Sequence, residues 1–531
     1  MLHKKIIIAV LLAGTLGSCT KNFSTINQNP TAPAAVPLDY LFGQVQLQFA
    51  GSAGDPGYTE WRANLIYCMP MVQQMAALGS FYSGDKYLYA ATNQASGAYF
   101  GTSDGEGNYP NAIKNMVNLL AQARLDSATN TNLLAMTKIL WVMQMSTMTD
   151  LYGDIPYFQA GLGYINQNFT PTYDPQSAIY PDMLNLLSQA VAGLSSSAAI
   201  PAAYDFSYYA GNLTSWAHLA NSLMLRLGMR LQKVDPTNAQ KWVTQALTGG
   251  VFASNGETYA LKYSGGPTYS INANSYNLGP ADGIYRNVVM GGGLQWSQTF
   301  IDSMQRRNDP RLGQISNVGP STPAGTTLVS MGDTVGVDQK GLPNGLDNAP
   351  GSTNIDIYST MNPLTFYSYA PDIIITYAEV EFLKAEAEAR GWVTGNPATE
   401  YALGQAAALQ QMVLYNTGFA LTSGQISAYQ AWNPYPTTGL ADGINAIQTE
   451  CWLLWADTYN GYEAWASWRR TGYPVLTPVN YPGNYSNGTI PRRLIYPAEE
   501  ATLDAAAYQA AITRMGPDQF TTTVWWDGGT D

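Results

Sequence analysis

Histidine and cysteine are almost missing from this chain, at two and three among 531 residues. His3 lies in an N-terminal segment with the pattern of a removable signal, which leaves His218 alone. A multi-histidine zinc site is thereby excluded, and any Ser-His-Asp constellation has to run through His218. That residue sits in the apolar, helix-periodic stretch Asn212 to Leu231 and reads as a core or helix-surface histidine. Charge is sparse too, at 12% of residues against roughly 25% in ordinary domains. With 25 Lys plus Arg against 37 Asp plus Glu, a net charge of −12 and no basic block, the footprint needed for phosphate backbones is lacking. Nucleic acid is excluded as a partner. No run of apolar residues reaches the roughly 20 that a membrane-spanning helix needs.

What is abundant is apolar and aromatic. Hydrophobic residues make up 46% of the chain, with 36 Tyr and 13 Trp. A chain this long buries roughly three quarters of its unfolded surface, so a large core is within reach and much of the surface must be amide, hydroxyl and ring. At the N-terminus Lys4 and Lys5 precede the apolar run Ile6 to Leu16, then Gly17, Ser18 and Cys19. This is the pattern of a bacterial secretion signal over residues 1–18. The ending LGSC resembles a lipoprotein box, which implies cleavage before Cys19 and lipidation of its thiol. Several acyl chains, not one, give firm anchoring. Cys68 and Cys451 both lie among apolar, helix-like residues and read as buried free thiols, not a disulfide framework.

A polar tether, residues 19–37, leads into helical periodicity near Tyr40 to Phe49, Trp61 to Ala77, Asn111 to Leu125, Leu133 to Met148, Tyr180 to Leu194, Ser215 to Leu231 and Ala239 to Leu247. From Gly249 to Asp372, Gly, Asn, Ser, Pro and Tyr crowd in. Only Gln295 to Arg306 reads as helix there, with short strands near Tyr259 to Tyr263 and Thr326 to Ser330. So long an irregular stretch inside a compact chain is a mark of function. Helices return at Thr376, where Thr376 and Glu379 form a capping box, Ile375 and Val380 a staple, and Gly391 a stop. Further helices are read at Ala398 to Tyr415, Ala446 to Trp468 and Leu503 to Arg514. Glu381, Glu386 and Glu388 with Lys384 and Arg390 read as a solvated, salt-bridged helix face.

Six blocks carry a resemblance: CTKNFSTINQNPTAP (Cys19 to Pro33), LYGDIPYFQA (Leu151 to Ala160), NDPRL (Asn308 to Leu312), GLPNGL (Gly341 to Leu346), ITYAEVEFLKAEAEARGW (Ile375 to Trp392) and YEAWASWRRTGYP (Tyr462 to Pro474). In this order and spacing the chain resembles the SusD/RagB family of Bacteroidetes outer-membrane lipoproteins. The resemblance implies a mostly α-helical fold of tetratricopeptide-like helix pairs with loop-rich insertions and a few short strands. It implies one domain over 38–531, with a scaffold over 38–248 and 373–531 and a ligand-binding region over about 249–372. It also implies a non-enzymatic receptor, anchored in the outer membrane by lipid, that passes oligosaccharide or polysaccharide to a SusC-like TonB-dependent transporter. Some members handle peptides instead. Thr20, Lys21 and Asn22 depart from the acidic residues that often follow the lipidated cysteine of surface-exported relatives.

A sugar presents C–H faces and a rim of hydroxyls, so it needs flat rings flanked by amides, carboxylates or Arg. Two clusters supply them: Tyr82, Asp85, Tyr87, Tyr89, Asn93, Tyr99 and Phe100, and Tyr269, Asn272, Asn274, Tyr276, Asp282, Tyr285, Arg286 and Trp296. The ligand-contacting residues expected among them are Tyr82, Asp85, Tyr87, Tyr99, Asn274, Tyr276, Tyr285, Arg286 and Trp296. A glycosidase needs two carboxyls about 5 to 9 Å apart beside the scissile bond. Asp150 and Asp154 are the nearest candidates in sequence, but they belong to the LYGDIPY corner, where helix termination and hydrogen bonding account for them. No cofactor is expected. Gly291 to Gly293 lacks the Lys-Ser or Lys-Thr of a phosphate loop, and Asp104-Gly105-Glu106-Gly107 is a calcium candidate without full calcium-loop spacing.

Overall fold

Most of the long helices carry their own start signals, and the architecture follows from how those helices pair. The computed structural model describes residues 36–50, 60–78, 83–89, 100, 109–263, 293–319, 322–324, 327–330, 332–347, 355–367 and 369–531. The main helices are α1 Leu38–Phe49, α2 Lys114–Ala123, α3 Thr131–Tyr152, α4 Gln176–Gly193, α5 Leu213–Arg230, α6 Pro236–Gly249 and α7 Gln298–Arg306. They continue with α8 Tyr377–Ala389, α9 Pro397–Gln411, α10 Ser423–Trp432, α11 Leu440–Asp457, α12 Gly461–Thr471 and α13 Ala505–Met515. Asn212 caps α5 by accepting from the Thr214 and Ser215 amides, and Asp235 with Pro236 does the same for α6. Asn396 and Pro397 start α9, and Asn460 starts α12. Each cap satisfies amides that would otherwise have no partner in the first turn.

Consecutive helices fold back on one another as α3/α4, α5/α6, α8/α9 and α11/α12, and α4 to α5, α5 to α8 and α8 to α11 join the pairs into a row. The expected tetratricopeptide-like scaffold is present, with its strands confined to short antiparallel pairs among the described residues. These strands are β1 Met75–Ala77, β2 Ile155–Pro156, β3 Tyr173–Asp174, β4 Tyr259–Leu261, β5 Leu294–Trp296, β6 Ser316–Val318, β7 Thr322–Ala324, β8 Thr327–Ser330, β9 Ser359–Met361 and β10 Asp372–Ile375. β1 pairs with β5, β4 with β10, β2 with β3, β6 with β9 and β7 with β8. One apolar core runs from Leu41 in α1 to Trp526 near the C-terminus. Helix α3 is buried on nearly every face, as its near-continuous apolar sequence requires, and ends at Gly153 with φ +88°.

Many of the few charges are buried in pairs. Arg230 meets Glu463 at 2.8 Å and Asp150 at 3.1 Å, Arg311 bridges Asp309 and Asp457, and Arg514 reaches Asp154 at 2.6 Å. Here the helix face with Glu381, Glu386 and Glu388 differs from the expected solvated one. Glu386 is fully buried between Arg470 and Arg390 and accepts from Gln448 at 2.7 Å. Burial opposes its charge, but the two guanidiniums overcome that and hold the carboxyl at about 2. Lys384 satisfies Glu381 and Glu400 at 3.0 Å each. Such pairs fix which helices adjoin, because a lone buried charge is costly.

Three local expectations are revised. The stretch Trp61 to Ala77 is a π-helix over Glu60–Cys68, one α-turn over Met69–Met71 and then β1, because Pro70 and the left-handed Gln73 (φ +57°) stop the helix. Ala446 to Trp468 belongs to two helices, α11 and α12, broken at Tyr459 (φ +54°) and restarted by Asn460. At Thr376 only half of the capping box forms. Thr376 Oγ1 accepts from the Glu379 amide at 3.0 Å, but the Glu379 carboxylate turns inward to Arg226. Cys68 and Cys451 are buried and form no disulfide, as the sequence suggested, and His218 Nδ1 pairs with Glu257 at 2.9 Å.

Candidate ligand-binding site

Strand β1 is buried along its length and pinned by side-chain contacts. Trp452 Nε1 donates to the Val72 carbonyl at 2.9 Å, Gln74 Nε2 donates to the Trp452 carbonyl at 2.8 Å, and Asn344 Nδ2 donates to the Met75 carbonyl at 2.9 Å. Its partner β5 runs antiparallel, with Met75 opposite Trp296 and Ala77 opposite Leu294. The chain leading away from β1 toward Tyr82 and the chain leading into β5 from Tyr276, Tyr285 and Arg286 are therefore rooted on facing residues. The two segments, almost 200 positions apart in sequence, thus begin or end on one strand pair.

The GLPNGL block completes this base. Leu342 bridges to Ser297 in parallel, and Gly341 lies so close that a Cβ there would stand 2.2 Å from the Ser297 carbonyl oxygen. The Gly345 amide donates to Asp85 at 2.9 Å, and Lys86 donates to the same carboxylate at 3.3 Å and to the Ala77 carbonyl. Burial raises the Asp85 pKa while Lys86 and Gly345 pull it back. Tyr87, in the left-handed region at φ +54°, accepts from the Val479 amide through its hydroxyl and from the Tyr485 amide through its carbonyl.

These contacts correct three expected ligand residues. Asp85 and Tyr87 have no accessible surface and tie the 83–89 turn to the 341–347 and 475–490 loops. Trp296 is core: it stacks on Phe300 at 4.6 Å and on Tyr459 at 6.1 Å, and its Nε1 donates to the Ile315 carbonyl at 3.0 Å. Trp296 closes β5, whose three residues are all buried. Cys19, Tyr82, Tyr99, Asn274, Tyr276, Tyr285 and Arg286 lie outside the described residues, as does the Asp104 to Gly107 calcium candidate. Phe100 is packed in an aromatic group with Tyr152, Tyr173 and Tyr496.

Sequence reasoning missed two rings at the same edge. Tyr485 is 54% exposed and meets Tyr89 edge-to-face at 6.0 Å, while the Tyr481 hydroxyl donates to Asp347. Both lie in the turn-rich run YPGNYSNG, which reads as loop from its Pro, Gly and Asn, so the aromatic content of that loop was the available signal. The two carboxylates considered for hydrolysis are engaged elsewhere. Asp150 accepts from Tyr180 and faces Arg230, and Asp154 is bound by Arg514 and by the Gln176 amide at 3.2 Å. Burial raises Asp154 to about 6, against the pull of Arg514. Among the described residues no three His, Cys, Asp or Glu side chains group to hold a metal ion.

The chain matches the family model described as SusD-like, starch-binding and associating with outer membrane, over residues 36–497. Solved structures agree. A chitin-binding protein is 28% identical, with a TM-score of 0.78 over 92% of this chain and 100% of its own. A SusD homolog from Bacteroides uniformis is 25% identical, with a TM-score of 0.72 over 92% and 99%. A chitin-binding SusD homolog from Flavobacterium johnsoniae, at 22% identity and a TM-score of 0.70 over 92% and 98%, shares the fold. No curated protein sequence matches the chain. The family match spans most of the described residues, including the helix pairs and the paired strands at the edge, and this chain belongs to the SusD-like family.

Proposed function

We propose that this protein captures oligosaccharides without cleaving them and hands them to a TonB-dependent barrel transporter, held at the outer membrane by lipid on Cys19. The family's association with the outer membrane supports the location, and among the described residues no helix is long and apolar enough to cross a membrane. The observation that carries the binding reading is the β1–β5 pairing, which roots both ring-bearing segments on facing residues. On this reading Tyr82, Tyr99, Asn274, Tyr276, Tyr285 and Arg286 contact the sugar, with Tyr481 and Tyr485 at the rim. A chitin-binding relative makes chitin oligosaccharides the first ligands to try.

Magnitudes favour a receptor that lets go. A ring covering about 50 Å² of sugar contributes roughly 1.2 kcal/mol at about 25 cal/mol per Å². Two rings and three hydrogen bonds of about 1 kcal/mol each reach roughly 5 kcal/mol, a sub-millimolar dissociation constant. Affinity electrophoresis in gels containing chitin derivatives, starch, xylan or other polysaccharides, followed by analysis for released sugars, tests the reading. Retardation without release is expected, and Tyr82→Ala/Tyr276→Ala/Tyr285→Ala is expected to weaken it while leaving the helical circular dichroism intact. Released sugar, or retention of peptides alone, overturns the reading.

A further inference from the structure

A second concave surface lies at the corner formed by the LYGDIPY block. Strands β2 and β3 pair Ile155 with Asp174 and Pro156 with Tyr173, closing the base of a loop over 157–172. Asp174 reinforces the base by accepting from the Tyr157 and Phe158 amides at 3.0 and 2.8 Å. At the tip, one helical turn over Gly163–Asn166 ends in left-handed Gln167. Gln159 then ties the return strand, accepting from Asn168 Nδ2 at 2.9 Å and from the Thr172 amide at 3.4 Å. The loop is thus shaped largely by backbone and amide contacts, with the Phe169 ring lying over Gly163.

Those rings are Tyr164, 90% exposed, and Phe169, 77% exposed. They stand at the mouth of a cavity of about 390 Å³ lined also by Tyr109, Tyr173, Glu500 and Asp504. That volume lies within the range of about 300–1,000 Å³ that holds small ligands. Large rings left this exposed mark an interaction surface. The polar groups decide its occupant. Glu500, which accepts from the Tyr173 hydroxyl, Asp504, Asn168 and Lys114 line the cavity together with the rings. An apolar protein segment seated here would strip water from two carboxylates and an ammonium and return no hydrogen bonds. A pyranose chain covers the rings with its C–H faces and gives those groups hydroxyls to bond.

We infer that the Tyr164–Phe169 corner is a second binding site for a neutral oligosaccharide, with the two rings as platform and Glu500 and Asp504 as hydroxyl acceptors. Its lining includes Phe100, from the first aromatic cluster, but no residue of β1, β5 or the 83–89, 341–347 and 475–490 loops. The ligand class rests on the carbohydrate reading above, whereas the location rests on this corner alone. Two sites on one body raise the retention of a long glycan by effective concentration without tightening either site.

Titration calorimetry of the full chain in detergent, with chitohexaose, maltohexaose and xylohexaose as probes, tests the inference. Tyr164→Ala/Phe169→Ala is expected to remove one of two binding events for at least one probe. It is also expected to weaken the residual binding of Tyr82→Ala/Tyr276→Ala/Tyr285→Ala by tenfold or more. Both rings are exposed, so unchanged circular dichroism should accompany the loss. If the corner variant binds like the wild type while the triple variant does not, the second site falls and the proposed function stands. If the wild type binds none of the probes, both fall. Loss of transporter association with sugar binding unchanged would make the corner a protein-docking face and overturn the inference.

Discussion

Asp372 is the residue whose chemistry is least compensated. It sits in β10, buried, and burial alone drives its pKa to about 7. The unfolded chain carries this group near 3.9, so between about pH 4 and 7 the folded state holds a proton that the unfolded state has released. Its contribution is therefore favourable below pH 4 and is lost as pH rises through 7. Asp372→Asn is expected to stabilise the protein at pH 8, by no more than about 4 kcal/mol at 1.36 kcal/mol per unit, and to have little effect at pH 4. Urea unfolding at the two pH values checks this, and an equal effect at both would remove the burial argument. Glu386 has the opposite sign, since its pair of arginines stabilises the fold above pH 4.5 and is undone toward pH 2. Residue identity announced neither behaviour. The glutamates of ITYAEVEFLKAEAEAR have ordinary surface-helix spacing, and only their partners on other elements, Arg470 and Arg226, show that two of them face inward.

At the scale of elements, helix positions were readable wherever apolar period and cap coincided, as at α5, α6, α8 and α9. Where the pattern ran through a break it misled. Trp452, Trp455 and Tyr459 continue one stripe, yet the chain reverses at Asn460-Gly461 because Asn64 intervenes, donating to the Tyr459 carbonyl and accepting from the Gly461 amide at 3.0 Å. Gly461 is required there: a Cβ would lie 2.4 Å from both Asn64 Oδ1 and Met69 Cγ and 2.8 Å from the Met69 amide nitrogen. Gly461→Ala is expected to destabilise by roughly 1–3 kcal/mol, the cost of overpacking, by forcing the 60–71 segment away from α12. Since that segment leads directly into β1, the variant should also weaken glycan retention in affinity electrophoresis. A stable variant with normal melting would show that the contact is loose. The same distance in sequence explains the missed inward turn of Trp296: its neighbours Phe300 and Tyr459 come from a following helix and from a residue over 160 positions away.

For the whole molecule, the family blocks proved to be the joints of the scaffold. NDPRL supplies the buried Asp309–Arg311 pair, GLPNGL buttresses β1 and β5, and the LYGDIPY corner holds Asp154 against Arg514. That is why sequence identified the fold and the family while leaving the cargo open: joints must keep fixed chemistry, whereas rings on loops need only be flat and reachable. A body that binds through several weak ring contacts has a measurable consequence. Each sugar unit added to the ligand should engage a further ring or a further site, so affinity should climb with chain length and then level once the rings are covered. A single deep pocket would saturate at one or two units. Titration with chito-oligosaccharides from the dimer to the octamer is expected to show at least a tenfold rise in affinity, equivalent to about 1.4 kcal/mol, which is close to what one additional ring supplies. Affinity independent of length would mean that one residue of the glycan makes every important contact. The exposed tyrosines at both surfaces would then have no part in capture.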